Sequence, residues 1–227
     1  YNNTNKNSNE CFGACNRENN PWYFTGSDMK WFIDYLCVRG VNLLIPHAFY
    51  YSLRGQRSGE RPPDVGPGSL WWRDYRKWSG YIARLCALMT EADLCAEIAV
   101  FCENRELHPE MVKPLFESQR GFQYIPKSEW AGCEEKESKL WCRGKAYQAV
   151  LGAEEDRFPG VPHTAEGIPP DLVVNPKQKN LRVARFVREG VMCWMLVNAG
   201  ETAISARFAF PERLPLGLCD LWSGACF

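Results

Sequence analysis

Residues 40–52 read Gly-Val-Asn-Leu-Leu-Ile-Pro-His-Ala-Phe-Tyr-Tyr-Ser, and the neighbouring segments are interpreted from this stretch. The run Val41 to Ile45 is apolar except for Asn42, which is typical of a parallel strand buried on both faces. Pro46 stops the predicted strand. His47 and two tyrosines follow at its carboxyl end, where α/β proteins usually place their ligand sites. The sequence therefore predicts a functional site at this end of the strand.

The composition is that of an ordinary globular protein, with 227 residues, 45% of them hydrophobic and 24% charged. The 27 lysines and arginines balance 27 aspartates and glutamates. Because such a chain has no broad basic field, we expect neither nucleic acid nor a membrane surface as a partner. No apolar run approaches the roughly 18 to 20 residues that span a bilayer. We expect a cytoplasmic location.

The eleven cysteines are scattered along the chain, and several lie within apolar segments. In a chain long enough to form a core, this pattern favours buried, reduced thiols over disulfides or a metal site. Cys11 and Cys15 are the closest pair, and no second pair or histidine pair completes a zinc set. No glycine-rich nucleotide motif follows any predicted strand. We expect no cofactor and no metal.

The first block predicts a βαβ unit. A short strand ends around Glu10, and an amphipathic helix capped by Ser27 or Asp28 continues to Arg39. The strand of residues 41–45 follows. Because two parallel strands joined by a helix end on the same edge, we expect Glu10 and His47 at one edge of the sheet.

The middle of the chain alternates strands with helices. A long irregular loop covers residues 53–69 and is expected to be functional. A helix is predicted over residues 71–90, whose tryptophan stripe favours core packing over a binding platform. The predicted strands 97–102, 122–125 and 145–152, with a helix over 110–119, indicate a small doubly wound domain. A flavin or other small ligand there is a weaker alternative, because a phosphate loop is lacking.

The final third changes its hydrophobic period to two. Residues 158–176 are rich in proline and glycine and are interpreted as a linker. Residues 181–187, 191–198 and 203–210 then alternate as strands separated by short turns, which predicts an antiparallel β module. A last strand is predicted over residues 217–222.

The candidate site residues are those near the ends of the first two strands. Glu10 could act as nucleophile or acid/base in glycoside cleavage, where two carboxyl groups flank the scissile bond, or it could be a solvated loop carboxylate. His47, Tyr50 and Tyr51 offer hydroxyl donors and ring surfaces that suit a sugar. Trp22 could form a platform or cover a helix, and Arg54 could contact a ligand or lie on a solvated rim.

Several segments together carry a family resemblance. Glu10-Cys-Phe-Gly-Ala, Trp22-Tyr-Phe-Thr with Asp28-Met-Lys-Trp, residues 39–52 and Glu60-Arg-Pro-Pro-Asp resemble the last part of the catalytic barrel in large bacterial glycoside hydrolases of the β-galactosidase and α-L-rhamnosidase kind. More weakly, residues 102–125 resemble the flavodoxin-like domain that follows such barrels. Residues 180–222 are similar to their closing β module.

The resemblance implies an α/β fold class with several parts. Residues 1–92 would be the last βα units of a (β/α)8 barrel, 93–157 a flavodoxin-like α/β domain, 158–179 a linker, and 180–227 an antiparallel β-sandwich-like module. If residues 41–45 are strand eight, Glu10 ends strand seven and matches the position of the nucleophile. The acid/base glutamate would then lie before Tyr1.

The function implied is that of a glycoside hydrolase fragment that cleaves O-glycosidic bonds of a carbohydrate with a pair of carboxylates, one of which lies in this chain. We expect the chain alone to be inactive and to need the missing N-terminal barrel or another subunit. The alternative is a non-catalytic accessory protein that binds carbohydrate or another subunit. A longer reading frame with six further βα units would favour the enzyme.

Overall fold

The computed structural model describes residues 6–13, 24–52, 54–56, 65–69, 71–103, 107–211 and 217–227. The chain forms two compact units. The first comprises Tyr1–Ala92 with Leu214–Phe227, and the second Asp93–Arg213. Helices and strands occur in both, so the fold is of the mixed α/β kind.

The described residues form three α-helices and fifteen strands. The helices are α1 Gly26–Cys37, α2 Tyr75–Met89 and α3 Pro109–Glu117. The strands are β1 Ser8–Cys11, β2 Leu43–Pro46, β3 Asp93–Leu94, β4 Ile98–Cys102, β5 Phe122–Pro126, β6 Glu134–Lys136, β7 Lys139–Cys142, β8 Lys145–Tyr147, β9 Ala149–Leu151, β10 Val173–Asn175, β11 Leu181–Arg188, β12 Val191–Asn198, β13 Arg207–Ala209, β14 Cys219–Asp220 and β15 Ala225–Cys226.

The predicted βαβ unit is confirmed, because β1 pairs with β2 in parallel and α1 lies between them in the chain. The predicted cap, Ser27 or Asp28, is wrong by two or three residues. Thr25 is the N-cap residue: its hydroxyl accepts a hydrogen bond from the backbone N–H of Asp28 at 3.2 Å, and the Asp28 carboxylate accepts one from the Thr25 backbone N–H at 2.9 Å. This reciprocal capping box starts the helix at Gly26.

Asn42, the polar residue within the apolar stretch, holds three elements together. It is buried, its Oδ1 accepts a hydrogen bond from the Asn7 backbone N–H at 2.8 Å, and its Nδ2 donates to the Met89 carbonyl at 3.2 Å. The side chain thus ties the start of β2 to the start of β1 and to the end of α2. A buried amide is stable here because its polar groups are paired.

Burial of β2 on both faces is not what the structure shows. Leu44 is buried, whereas Leu43 and Ile45 are 42% and 52% exposed. Successive residues of a strand point to opposite faces. Helix α2 packs against β2 of this two-stranded sheet, and α1 packs against α2. Among the described residues nothing covers the other face well enough to bury Leu43 or Ile45.

Helix α2 confirms the predicted apolar stripe but begins later than expected. A 3₁₀ turn over Trp72–Asp74 precedes it, and Trp78, Tyr81, Leu85 and Met89 are its buried residues. Trp78 is therefore a core residue, as the stripe predicts. Trp72, in the preceding turn, is instead 38% exposed.

The C-terminal hairpin β14–β15 belongs to the first unit, although its sequence was interpreted as part of the β module. Trp222 lies edge-on to Trp78 and Tyr81, with ring centroids 4.9 and 5.0 Å apart. Arg84 donates hydrogen bonds to the carbonyls of Leu221 and Trp222 at 2.8 and 2.6 Å. A disulfide between Cys219 and Cys226 joins the two strands of the hairpin, contrary to the expectation of reduced thiols. The eight other described cysteines form no disulfide.

The second unit is built on a three-stranded parallel sheet in the order β5-β4-β9. All five residues of β4 are buried, as the continuous apolar run predicts. The predicted strand 145–152 divides at Gln148, because β8 pairs antiparallel with β7 while β9 joins the parallel sheet. The charged run at Glu134 is exposed, as expected, but it forms strand β6 of that antiparallel sheet.

A three-stranded antiparallel sheet and an antiparallel pair complete the second unit. Strand β11 lies between β12 and β3, and β10 pairs with β13. The proline-rich segment 158–179 is packed rather than extended away from its unit, because apolar residues alternate with its prolines. Its buried apolar side chains are Phe158, Val161, Ile168, Leu172 and Val174.

Gly121 provides a test of close packing in the second unit. A Cβ atom at this residue would lie 2.6 Å from Asp171 Oδ2 and 2.8 Å from the Cys95 carbonyl oxygen. We therefore expect Gly121→Ala to lower the free energy of unfolding by about 1–3 kcal/mol. Gly132→Ala is the control, since no atom lies within 4 Å of a Cβ there. Equal stability of the two variants in urea titrations would contradict this packing.

Candidate functional site

Glu10 lies on the uncovered face of the β1–β2 sheet. Its Cα partner across the parallel pair is Ile45, and partners in such a pair share a face. Ser8 and Leu43 lie two residues earlier on the same face. Glu10 is exposed, like Ile45, while Cys11 on the opposite face is buried. The backbone of Glu10 is therefore held by the regular hydrogen bonds of the parallel pair, and its side chain is directed away from the helices.

His47 lies at the edge predicted for it, beyond the end of β2. Its backbone N–H donates to the Cys11 carbonyl at 2.8 Å and so continues the parallel ladder by one step. Glu10 is opposite Ile45, two residues before His47, which places the two residues at levels roughly 6–7 Å apart along the strands. Both residues lie at the same edge of the sheet, but His47 is further along the strand direction than Glu10.

The His47 ring is packed on its own loop. It lies edge-on to Tyr50, with ring centroids 6.1 Å apart, and Gly13 of the neighbouring strand end approaches its Cβ. The His47–Ala48 peptide bond is cis. The Nδ1 atom is buried and has no hydrogen-bond partner among the described residues. A ring nitrogen in this position can accept from or donate to a polar ligand.

The other predicted site residues are either exposed at the surface or lie outside the described residues. Tyr51 is 87% exposed, and the Arg54 side chain is exposed, with the Arg54 backbone N–H donating to the Ser52 hydroxyl at 3.2 Å. Trp22 lies outside the described residues. The structure thus brings His47 and Tyr50 together and leaves Tyr51 and Arg54 at the surface of the same loop.

A group of three rings lies at this loop, and the sequence had assigned two of them, Trp72 and Tyr75, to the core. Trp72 and Tyr75 stack with ring centroids 5.0 Å apart and planes 28° apart, and Phe49 lies edge-on to both at 6.1 and 5.8 Å. Burial raises the pKa of the Tyr75 hydroxyl. Their signal in the sequence was the aromatic start of the helix directly after the irregular loop.

Beneath the sheet, the ionisable groups of the first unit are structural. Asp34 is buried and accepts hydrogen bonds from the Tyr81 hydroxyl and, at 2.6 Å, from Lys30 Nζ. Burial, and then Asp34, raise the pKa of Tyr81. Burial, together with Cys86 and Asp34, raises the pKa of the Cys37 thiol to about 12. Such a thiol is not a nucleophile at neutral pH.

A second cluster of charges lies in the other unit. Arg185 Nε lies 3.0 Å from Asp171 Oδ1, and Arg185 Nη2 lies 2.6 Å from Glu97 Oε1. Gln148 Nε2 donates to the same glutamate at 2.7 Å. Burial raises the pKa of Asp171 to about 6, with Arg185 lowering it and Glu97 raising it. The cluster joins β11 to the residues before β4, β9 and β10, so its role is to hold the sheets together.

A shallow concavity of about 610 Å³ also lies in the second unit. It is open and partly acidic, and the His163 Nε2 atom that borders it is 3.1 Å from the Phe158 carbonyl. The lining residues are Glu155, Asp156, Pro159, His163 and Thr164.

The described part of the chain contains no group of three or more His, Cys, Asp or Glu residues arranged to hold a metal ion. Within the same residues, no helix has the length and apolar character needed to cross a membrane.

The mixed α/β fold resembles part of a solved enzyme structure. The chain superposes on a rhamnosidase from Novosphingobium sp. PP1Y with a TM-score of 0.67 over 98% of its own residues, at 15% sequence identity. The chain spans about 28% of the length of that protein. No family model and no curated protein matches the sequence. At this identity the likeness establishes a shared fold, and the predicted barrel end stays a prediction.

Asp171 gives the second unit a pH-dependent stability. Its pKa of about 6 in the folded state exceeds the ordinary 3.8. Between these values the folded chain holds a proton that the unfolded chain has released, so stability falls as the pH rises from about 4 to about 6. We expect Asp171→Asn to reduce this loss, which amounts to at most about 3 kcal/mol.

The measurement is chemical unfolding of the whole chain at pH 4.5, 5.5 and 6.5. Asp156→Asn, which removes an exposed carboxylate of the same unit, controls for the lost charge. Parallel pH profiles for Asp171→Asn and the unmodified chain would show that Asp171 is not the source of the dependence.

Proposed function

We propose that this chain is part of a glycoside hydrolase in which Glu10 is one of two catalytic carboxylates. The observation that carries the proposal is the position of Glu10 on a parallel strand pair, on the face turned away from the helices, with His47 and Tyr50 at the adjoining edge. The fold shared with a rhamnosidase supports the same class of reaction.

The uncovered face supports a barrel as the setting. In a (β/α)8 barrel the helices lie outside and the opposite faces of the strands fill the interior. Leu43 and Ile45, now exposed, would pack in that interior against side chains of further strands. In this proposal residues 1–92 are the last βα units, and the remaining strands come from a longer chain or another subunit.

Glu10 would act as the nucleophile. Its ionised carboxylate would attack the anomeric carbon and form a glycosyl ester, while the second carboxylic acid gives its proton to the departing oxygen. Water, deprotonated by that second group, would then hydrolyse the ester and release Glu10. If the two carboxyl groups are instead more than about 6.5 Å apart, water attacks directly and the configuration inverts.

The neighbouring side chains would bind the sugar. The Nδ1 of His47, which has no partner among the described residues, could form a hydrogen bond with a sugar hydroxyl, and Tyr50 packs edge-on against the His47 ring. Tyr51, Arg54 and Trp22 would line the approach, which follows from their place in the loops after the two strands. Such groups position the substrate relative to the carboxylate.

A non-catalytic accessory role is the second candidate. The exposed Leu43 and Ile45 favour it, because another subunit could cover them without any barrel being completed. A carbohydrate-binding protein of this kind would bind glycosides at the His47 edge without hydrolysing them.

The test uses the longest natural reading frame that contains this chain. We expect Glu10→Gln to lower the rate on p-nitrophenyl α-L-rhamnopyranoside or β-D-galactopyranoside by several orders of magnitude, since it removes transition-state stabilisation while leaving the exposed side chain's packing intact. Glu91→Gln, at the opposite end of α2, is the matched control and should retain the parent rate. A Glu10 variant with more than about a tenth of that rate refutes the assignment.

A covalent mechanism leads to a second prediction. A slowly reacting fluorinated glycoside should label Glu10, as read by mass spectrometry of proteolytic peptides. A label on another carboxylate would move the nucleophile elsewhere. Binding of methyl glycosides without any turnover of the aryl glycosides would favour the accessory role.

A further inference from the structure

Three aromatic side chains form a rigid shelf in the first unit, here called the aromatic shelf and defined as Phe49, Trp72 and Tyr75. Trp72 and Tyr75 are stacked, and Phe49 meets both rings edge-on within 6.1 Å. Each ring touches the other two in a favoured geometry, so the position of each is set by its neighbours.

Two rings of the shelf are exposed although they are apolar, while Tyr75 is half-buried. Phe49 is 56% and Trp72 38% exposed. The adjacent Trp71 behaves differently, because its indole N–H donates to the Phe24 carbonyl at 3.2 Å and holds that ring against the start of α1. The two consecutive tryptophans thus differ in their environment. Trp71 is held against the start of α1, and Trp72 is directed towards the solvent.

The position of the shelf follows from the order of the elements. Helix α2 comes after β2 in the chain, so its first turn lies at the carboxyl end of the strand. Phe49 belongs to the loop that leaves β2, with His47 two residues before it and Tyr50 and Tyr51 directly after it. The shelf therefore borders the edge where the proposed substrate site lies.

We propose that the aromatic shelf is a sugar-binding subsite that stacks on the C–H face of a pyranose ring, or on an aryl group in its place, next to the bond cleaved at Glu10. This inference rests on the proposed function and adds a specificity element to it. A flat pair of rings beside polar groups fits such a ligand, since a pyranose has an apolar face and a hydroxylated rim. Arg73 and Asp74, both exposed, supply polar groups at the margin of the shelf.

The chain contains a matched comparison for this shelf. Trp31 and Tyr35 stack at 5.0 Å with planes 26° apart, and Trp31 is 42% exposed. This pair has the ring chemistry and exposure of Trp72 and Tyr75. It lies further along α1, which runs from the carboxyl ends of the strands towards their amino ends, so it should not contact substrate.

The test is steady-state kinetics of the full-length protein on whichever of the two aryl glycosides it hydrolyses. We expect Trp72→Ala to raise KM about tenfold with kcat changed less than about threefold, because one stacking contact is removed. Trp72→Phe should stay within about threefold of the parent KM, and Trp31→Ala should be indistinguishable from the parent. Phe49→Leu, at the most exposed ring, should raise KM by about three- to fivefold and provides a second variant if Trp72→Ala lowers the Tm.

Two outcomes overturn the inference, and they can be told apart. In the first outcome, the parent protein hydrolyses an aryl glycoside, but Trp72→Ala and Phe49→Leu have the same KM as the control Trp31→Ala. The aromatic shelf is then not a subsite, and the proposed function stands. If the parent neither hydrolyses nor binds the two glycosides, the proposed function fails and the subsite fails with it.

Discussion

A single buried amide determines the geometry of the first unit. The side chain of Asn42 pairs with the Asn7 backbone and the Met89 carbonyl, and so connects β1, β2 and the end of α2. Removing it would leave buried polar groups unpaired at two sites, which costs more than the loss of ordinary surface hydrogen bonds. The strand register that puts Glu10 opposite Ile45 begins at this contact. The position of Glu10 along the sheet therefore depends on it.

The helices then divide the sheet into two chemically different faces. On the covered face, Cys11 and Leu44 are buried. Beneath this face, the Tyr81 hydroxyl donates a hydrogen bond to Asp34. On the other face, Glu10 lies beside exposed apolar side chains. Glu10 is opposite Ile45, and Leu43 lies two residues earlier on the same face. The proposal that further strands cover this face, as in a barrel interior, rests on this contrast between the two faces.

The charge cluster of the second unit shows why a shifted pKa is a weak guide to function here. Asp171 is nearly fully buried and burial raises its pKa, yet it lies in a structural ion-pair network in which Arg185 pairs with both Asp171 and Glu97. Structural ion-pair networks perturb pKa values as active sites do. Position in the fold, rather than the shift, separates this aspartate from Glu10.

The sequence by itself determined the order and type of the main elements, because periodicity and capping are local: α1, α2, β4 and the β11–β12 hairpin follow from apolar spacing and turns. It also marked Asn42, Glu10 and His47 as polar residues in unusual places. Only the tertiary structure decided which face of β2 is uncovered, how residues 145–152 divide between two sheets, and that Cys219 pairs with Cys226 on a hairpin held by Trp78. These features depend on contacts between residues distant in the chain or on the partner a strand selects, which local spacing does not encode.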